Sequence, residues 1–130
     1  MKLQSLEPWA VWRHVEQICA VPHGSGNTAA LADRIAAFAA EKGIACRRDD
    51  YGNLVLKKPA SPGYEEHPGV ILQGHVDMVA VKEPDCPLDL ERDGLVLTVE
   101  DGWVSADGTS LGADNGIAVA IALAVLEDNA

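Results

Sequence analysis

Apolar residues along the chain change their spacing several times, and each change marks an element. Trp9, Trp12, Val15, Ile18 and Cys19 recur at steps of three and four, the period of one helix face. Pro8 suits a first helical turn, so residues 8 to 19 are expected to form an amphipathic helix. The stretch VPHGSGN breaks it. Ala30, Leu31, Ile35, Phe38 and Ala39 then mark a second helix, with Asn27 or Ser25 as its cap and Lys42-Gly43 at its end. The period next shortens to that of strands: IACRR and NLVLKK flank DDYG as a hairpin, and LVLTVEDGWVSA is a second one with Asp101-Gly102 at its turn. Between them, residues 59 to 68 form a polar, proline-rich loop, and GVILQGH is a continuous apolar run suited to a strand buried on both faces. Last, DNGIAVAIALAVLEDN is a helical stretch apolar nearly all round, the pattern of a helix inside a larger body.

Helices alternating with strands imply an α/β layer structure, a mixed β-sheet flanked by helices. A chain of 130 residues suits one domain with a real core. The most buried-looking helix finishes only at residues 126 to 128, with no further element to cover the sheet. Residues 1 to 130 are therefore expected to be the amino-terminal portion of a longer protein.

Charge narrows the class. Ten Lys and Arg stand against twenty Asp and Glu, a net charge of -10, which excludes a nucleic-acid backbone or an anionic membrane as partner. The longest apolar run, Ile117 to Leu126, is short of the roughly 20 residues of a bilayer span. The opening MKLQSLEPWAVWRHVEQ carries charges where a signal peptide has its apolar centre, so a cytoplasmic location is expected. Cys19, Cys46 and Cys86 lack metal-site spacing and are expected to be reduced thiols.

Two constellations carry candidate chemistry. In GHVDMV the chain is leaving the expected strand, where side chains two apart point the same way, so His75 and Asp77 can face one site at a strand's carboxyl end. An imidazole that binds metal through one nitrogen commonly gives its other N–H to a carboxylate, and His-x-Asp supplies ligand and orienter within three residues. Alone, the pair reads first as a core histidine beside a turn aspartate. In the second stretch, Asp107, Asp114 and Asn115 stand among glycines just before the last helix, where Asp114 can bridge two cations or simply cap the helix. A third motif, HGSGNTA, contains Gly-x-Gly-x-x-Ala but follows a helix instead of a strand, which sets aside a dinucleotide cradle. His23 is expected to be a loop residue near the site, with Trp9 and Trp12 in the core.

LQGHVDMV followed by SLGADNGIAVAIALAVL resembles the bacterial Xaa-His dipeptidases, the aminoacyl-histidine or β-Ala-His (carnosine-type) enzymes. These are similar to the di-zinc peptidases that include peptidase T, carboxypeptidase G and aminoacylase. The likeness extends through ICAVPHGSGNT, EKGI, RDDYGNLVLKKPAS and GW. It implies a di-zinc aminopeptidase-like catalytic domain in which His75 ligates one metal, Asp77 orients it without binding, and Asp114 bridges two Zn²⁺, with Mn²⁺ or Co²⁺ as possible substitutes. The family's Glu-Glu pair, which supplies general base and ligand, a further Asp, a late His and the lid domain have no counterpart here. The resemblance therefore implies metal-dependent hydrolysis of dipeptides, Xaa-His above all, by a homodimeric full-length parent, with this chain alone inactive. An aminoacylase or carboxypeptidase of the same family is the alternative activity, and a truncated non-enzymatic interaction domain the alternative role. It also gives an expectation for the Asp114-Asn115 peptide, which such enzymes hold in cis: with most of the site absent, trans, or a poorly ordered loop at residues 107 to 116.

Overall fold

The computed structural model describes Leu3 and residues 5 to 129. Three helices and two hairpins follow one another: α1 (Trp9–Cys19), α2 (Ala29–Glu41), the strands β1 (Ala45–Arg48) and β2 (Leu54–Lys57), the strands β3 (Leu97–Glu100) and β4 (Trp103–Ala106), and α3 (Ala113–Glu127). The three- and four-residue spacing of α1 does turn Val15, Ile18 and Cys19 inward, together with His14. Trp9 departs from expectation: it is 48% exposed in the first turn, its ring covered by the Arg13 guanidinium 4.9 Å away. A cation over an aromatic face is stable at the surface, so no core site is needed. Trp12 is half-buried and donates its indole N–H to the Glu7 carbonyl at 3.2 Å.

Helix α2 has Thr28, not Asn27 or Ser25, at its N-cap position, and without a side-chain cap bond. Asn27 donates instead to the Glu91 carbonyl at 3.1 Å, and Ser25 is drawn to a carboxylate described below. A hydroxyl gains more from a charged acceptor than from a helix end. The other end behaves as expected, with Gly43 at φ 67° after Lys42.

Both hairpins form. Strands β1 and β2 pair antiparallel from Ala45 opposite Lys57 to Arg48 opposite Leu54, and the connection is organised by the Asp49 carboxylate, which accepts the N–H groups of Tyr51 and Asn53. Strands β3 and β4 pair with Glu100 opposite Trp103, and Asp101 and Gly102 lie at φ 49° and 81°, the positive values that a two-residue turn matched to strand twist requires. The GVILQGH run differs. It is open and without regular structure, with Ile71 92% exposed, and among the described residues no strand pairs with it. A doubly buried strand needs a neighbour on each edge. Here the other strands pair off in their own hairpins, Gly74 at the end of the run packs against Ala118 and Val119, and the chain just beyond it is held by a parallel bridge between Gly24 and Met78. The α/β class stands, built within these residues from antiparallel pieces and that one parallel bridge.

The core lies between α1 and α3. Val15, Ile18 and Cys19 meet Val119, Ala120 and Leu123, joined by Leu31 and Ile35 of α2 and Leu97 of β3. The segment after α1 closes on it: Leu95 donates to the Cys19 carbonyl at 2.8 Å, and a Cβ on Gly94 would stand 2.6 Å from the Ala20 carbonyl oxygen, so only glycine fits. Burial pushes the Cys19 thiol up to about 11, and Cys19, Cys46 and Cys86 are all free. No described helix is long and apolar enough to cross a membrane.

Glu127 ties the helices together. At 11% side-chain exposure it is paired with Arg13, lies 3.1 Å from His14 Nε2 and 3.5 Å from Lys42. The His14 ring in turn stands edge-on to Phe38 of α2.

This cluster makes stability pH-dependent. Burial holds the His14 imidazole below its ordinary 6.5, outweighing the pull of Glu127. The unfolded chain thus takes up a proton near pH 6.5 while the folded chain resists, so stability is lost as pH falls from about 6.5 toward the lower folded value. For Glu127, burial raises the carboxyl but Arg13 and His14 outweigh it, leaving it below its ordinary 4.5, so its contribution is lost as pH falls through that depressed value. The difference in urea midpoint between the chain and its His14→Gln variant, which isolates the His14 contribution, is expected to be flat above about pH 7 and to change below 6.5 in the direction of lost stability for the parent chain. Glu127→Ala is expected to cost about 1–3 kcal/mol at pH 7, less than a fully buried pair because Lys42 and Arg13 remain partly hydrated.

Candidate metal centre

Three segments meet at one place, and Met78 pins them. Its N–H donates to the His23 carbonyl and its carbonyl accepts the Ser25 N–H, both at 3.0 Å, which lays residues 23 to 25 beside residues 77 and 78. Its side chain is 3% exposed and seats the loop before α3: a Cβ on Gly112 would stand 2.8 Å from the Met78 sulfur, and Gly112 has φ 74°. Glycine is required there twice over, for the close approach and for the left-handed backbone. Asp114 follows two residues later.

The geometry brings all three candidate residues together. His75 Nδ1 lies 3.0 Å from the Asp77 carbonyl oxygen and 3.1 Å from Asp77 Oδ1, so that nitrogen carries a proton and donates it. On the other side of the ring, His75 Nε2 lies 3.1 Å from Asp114 Oδ1. The Asp114 carboxylate, the Asp77 carbonyl and the Asp77 carboxylate together raise the His75 pKa above its usual 6.5. The Ser25 hydroxyl, 2.5 Å from Asp77 Oδ2, is the main cause that holds the Asp77 carboxyl below its usual range, with His75 adding to it. The site is open: side-chain exposures are 51% for His75, 42% for Asp77 and 96% for Asp114.

Those donors fit a cation. Two ligand atoms that share one tetrahedral ion at about 2.0–2.2 Å each lie about 3.3–3.6 Å apart, and the nitrogen and oxygen here, 3.1 Å apart, need to part by only a few tenths of an ångström to share one. Asp114 Oδ2 has no partner among the described residues and is free for a second ion. Two donors do not complete a zinc site, and among the described residues no group of three His, Cys, Asp or Glu side chains converges as one.

Other expectations fare unevenly. Asp107 stays out of the cluster, its N–H bonded to the Val96 carbonyl at 2.8 Å. His23 is indeed a loop residue beside the site, but buried, with Nδ1 donating to the Val21 carbonyl at 2.6 Å and Nε2 without a partner among the described residues. The Asp114-Asn115 peptide is cis, contrary to the expectation of a trans bond or a disordered loop. The loop is fixed from both sides, by Gly112 seated on Met78 and by Gly116 donating to the Gly112 carbonyl at 3.0 Å at the start of a helix whose Val119 and Ala120 are buried. Ser25 is the site residue that sequence reasoning missed. A serine beside glycines reads as a cap or a turn, and nothing local points 52 residues ahead to Asp77. An apolar cleft of about 380 Å³, lined by Trp12, Ile18, Trp103, Leu111 and Ile117, lies behind the loop, and none of the three site residues lines it.

Comparison with known proteins bears on the whole chain. No protein-family model matches it. Over 127 residues, 98% of the chain, it is 43% identical to the cytosol non-specific dipeptidase of Escherichia coli (strain K12), of which it covers 26%. In structure it matches the crystal structure of aminoacylhistidine dipeptidase from Vibrio alginolyticus with a TM-score of 0.95 and 43% identity, over 99% of this chain and 26% of that one. The chain thus spans about a quarter of the length of these two relatives, and over that span it has the fold of the dipeptidase.

Substituting Gly112 tests how the site is positioned. Gly112→Ala forces an alanine into the left-handed region, costing about 1–2 kcal/mol, and drives its methyl into Met78. The expected outcome is a lower urea midpoint together with displaced His75 ring signals in NMR, while Gly102→Ala, at a turn with open space around it, costs stability and leaves His75 unmoved.

Proposed function

We propose that this chain furnishes one side of a two-metal dipeptidase site, in a protein that hydrolyses dipeptides, Xaa-His among them, in the cytoplasm. The observation that carries the reading is the convergence of His75 Nε2 and Asp114 Oδ1 at 3.1 Å with Asp77 behind the imidazole, in a chain with the fold of a dipeptidase. The names of the two relatives support the substrate class: one is a non-specific dipeptidase, the other acts on aminoacyl-histidine.

The roles follow from the atoms. Asp77 Oδ1 accepts a hydrogen bond from Nδ1–H, which fixes the tautomer and leaves the Nε2 lone pair for a metal. Asp114 offers Oδ1 beside that lone pair and Oδ2 on its open side, the arrangement of a bridging carboxylate. When bound, a zinc pair would supply the acidity that makes water a nucleophile at neutral pH and the polarisation of the scissile carbonyl. No described glutamate stands at the cluster to move the proton, so the general base comes from outside the residues gathered here. The loss of the Nε2 proton is the entry step for metal, and the raised pKa of His75 makes that step compete with protons above pH 6.5.

The test is metal titration with a dipeptidase assay. The 130-residue chain is expected to bind Zn²⁺ more weakly than micromolar and to hydrolyse no dipeptide, because it presents two donors where a working site has three or more. Its affinity is expected to climb as pH rises past 6.5 and to level off once His75 is neutral. In a full-length dipeptidase that carries these residues, Asp77→Ala is expected to retain metal at roughly 10- to 100-fold lower affinity with a matching loss of activity. Asp114→Ala is expected to empty at least one metal position. Equal metal content in the two variants would refute the division of roles.

A further inference from the structure

We propose that Ser25 is a positioning residue for the Asp77–His75 pair, its hydroxyl fixing the carboxylate torsion of Asp77 so that an oxygen stays aimed at the imidazole, with residues 23 to 25 serving as the strap that holds it there. The inference rests on the metal-site reading above and adds to it a residue outside the His-x-Asp motif.

The terminal torsion of an aspartate is broad, so a carboxylate anchored through one oxygen alone can swing and present either oxygen, or neither, to its partner. Asp77 is anchored through both. Ser25 Oγ donates to Oδ2 at 2.5 Å, the short distance of a hydroxyl on a charged acceptor, while Oδ1 accepts from His75 Nδ1 at 3.1 Å. The hydroxyl has a competing acceptor in the Met78 carbonyl, but that lies at 3.4 Å. Ser25 itself is exposed, yet its place is inherited from buried backbone. Its N–H bonds to Met78, the neighbouring His23 is 3% exposed with Nδ1 tied to the Val21 carbonyl, and Gly24 is pressed so close that a Cβ would stand 3.0 Å from that of Ala80. The strap thus brings a fixed donor to a carboxylate that is 42% exposed and would otherwise be free to turn. Ser25, Asp77, His75 and Asp114 form one continuous line of hydrogen bonds, in which the first member never touches the metal position.

Zinc titration of the 130-residue chain, followed through the ¹⁵N and ¹H signals of the His75 ring, tests this. Ser25→Thr and Ser25→Val have nearly the same shape and differ in the hydroxyl. The Thr variant is expected to bind zinc within about twofold of the parent chain and to keep a single Nδ1–H tautomer in the zinc-bound ring. The Val variant is expected to bind roughly three- to tenfold more weakly, with the ring signals of the bound state broadened or doubled. Asp77→Ala is the reference for losing the orienter's side chain altogether, at roughly 10- to 100-fold. Equal zinc affinity and identical ring signals in the Thr and Val variants, with Asp77→Ala still weakened, would overturn the role of Ser25 and leave the metal site standing. No change in any of the three would overturn both. A lower unfolding midpoint in the Val variant without a change at the His75 ring would also count against the proposal, because a merely structural strap does that.

Discussion

Helix α3 has apolar residues on nearly every side, so its own sequence does not dictate which side is buried; the contact with α1 does. Val119, Ala120 and Leu123 meet Val15, Ile18 and Cys19, and the far end of the helix is locked by Glu127 among Arg13, His14 and Lys42. A mostly buried carboxylate is costly unless its partners are close, which makes this cluster a register mark: a slip of one turn along α1 would leave Glu127 without them. The helix is about 20 Å long at the usual rise per residue, and fixing its carboxyl end fixes where its amino end can be.

The candidate site is a consequence of that placement. Asp114 stands at the amino end of α3, and His75 and Asp77 sit on a segment with no strand partner among the described residues. They meet because Met78 is buried between the strap at residues 23 to 25 and the loop at Gly112. One apolar side chain and two backbone hydrogen bonds therefore set the spacing of two ionisable groups far apart in sequence. Positions that matter for the chemistry thus include residues with no chemistry of their own, Met78 and Gly112 foremost.

Openness is the site's other property. Asp114 is almost wholly exposed, the run Val70-Ile71-Leu72 is largely in water, and α3 shows Ile121 and Val125 on its outer side. In water an ion pair or a metal contact is heavily screened, and a nucleophile keeps its hydration. Two donors in that environment can hold a cation loosely; they cannot by themselves exclude solvent from a reaction. The two relatives are about four times the length of this chain.

The local elements were legible in the sequence because they are decided locally. Three- and four-residue spacing set α1 and α2, Asp101-Gly102 supplies the positive φ values of a hairpin turn, and Gly43 after Lys42 gives the left-handed residue that ends α2. His75, Asp77 and Asp114 were legible for a different reason: their motifs resemble those of a known peptidase family, whereas residue types alone fitted a core histidine, a turn aspartate and a helix cap. What stayed hidden was everything settled by partners distant along the chain. The run GVILQGH has the composition of a buried strand, but a strand exists only when its edges are paired, and that depends on residues elsewhere. Trp9 has the spacing of a core residue and lies outside because a neighbouring arginine covers it. Ser25 looks like a helix cap and binds Asp77, since a carboxylate brought near by folding outcompetes the helix end. The sequence by itself determined which segments would coil, extend or turn, through backbone preferences that act over a few residues. Only the tertiary structure decided which polar groups meet, because the energy of a hydrogen bond or a buried charge belongs to the pair and is undefined until both members are in place.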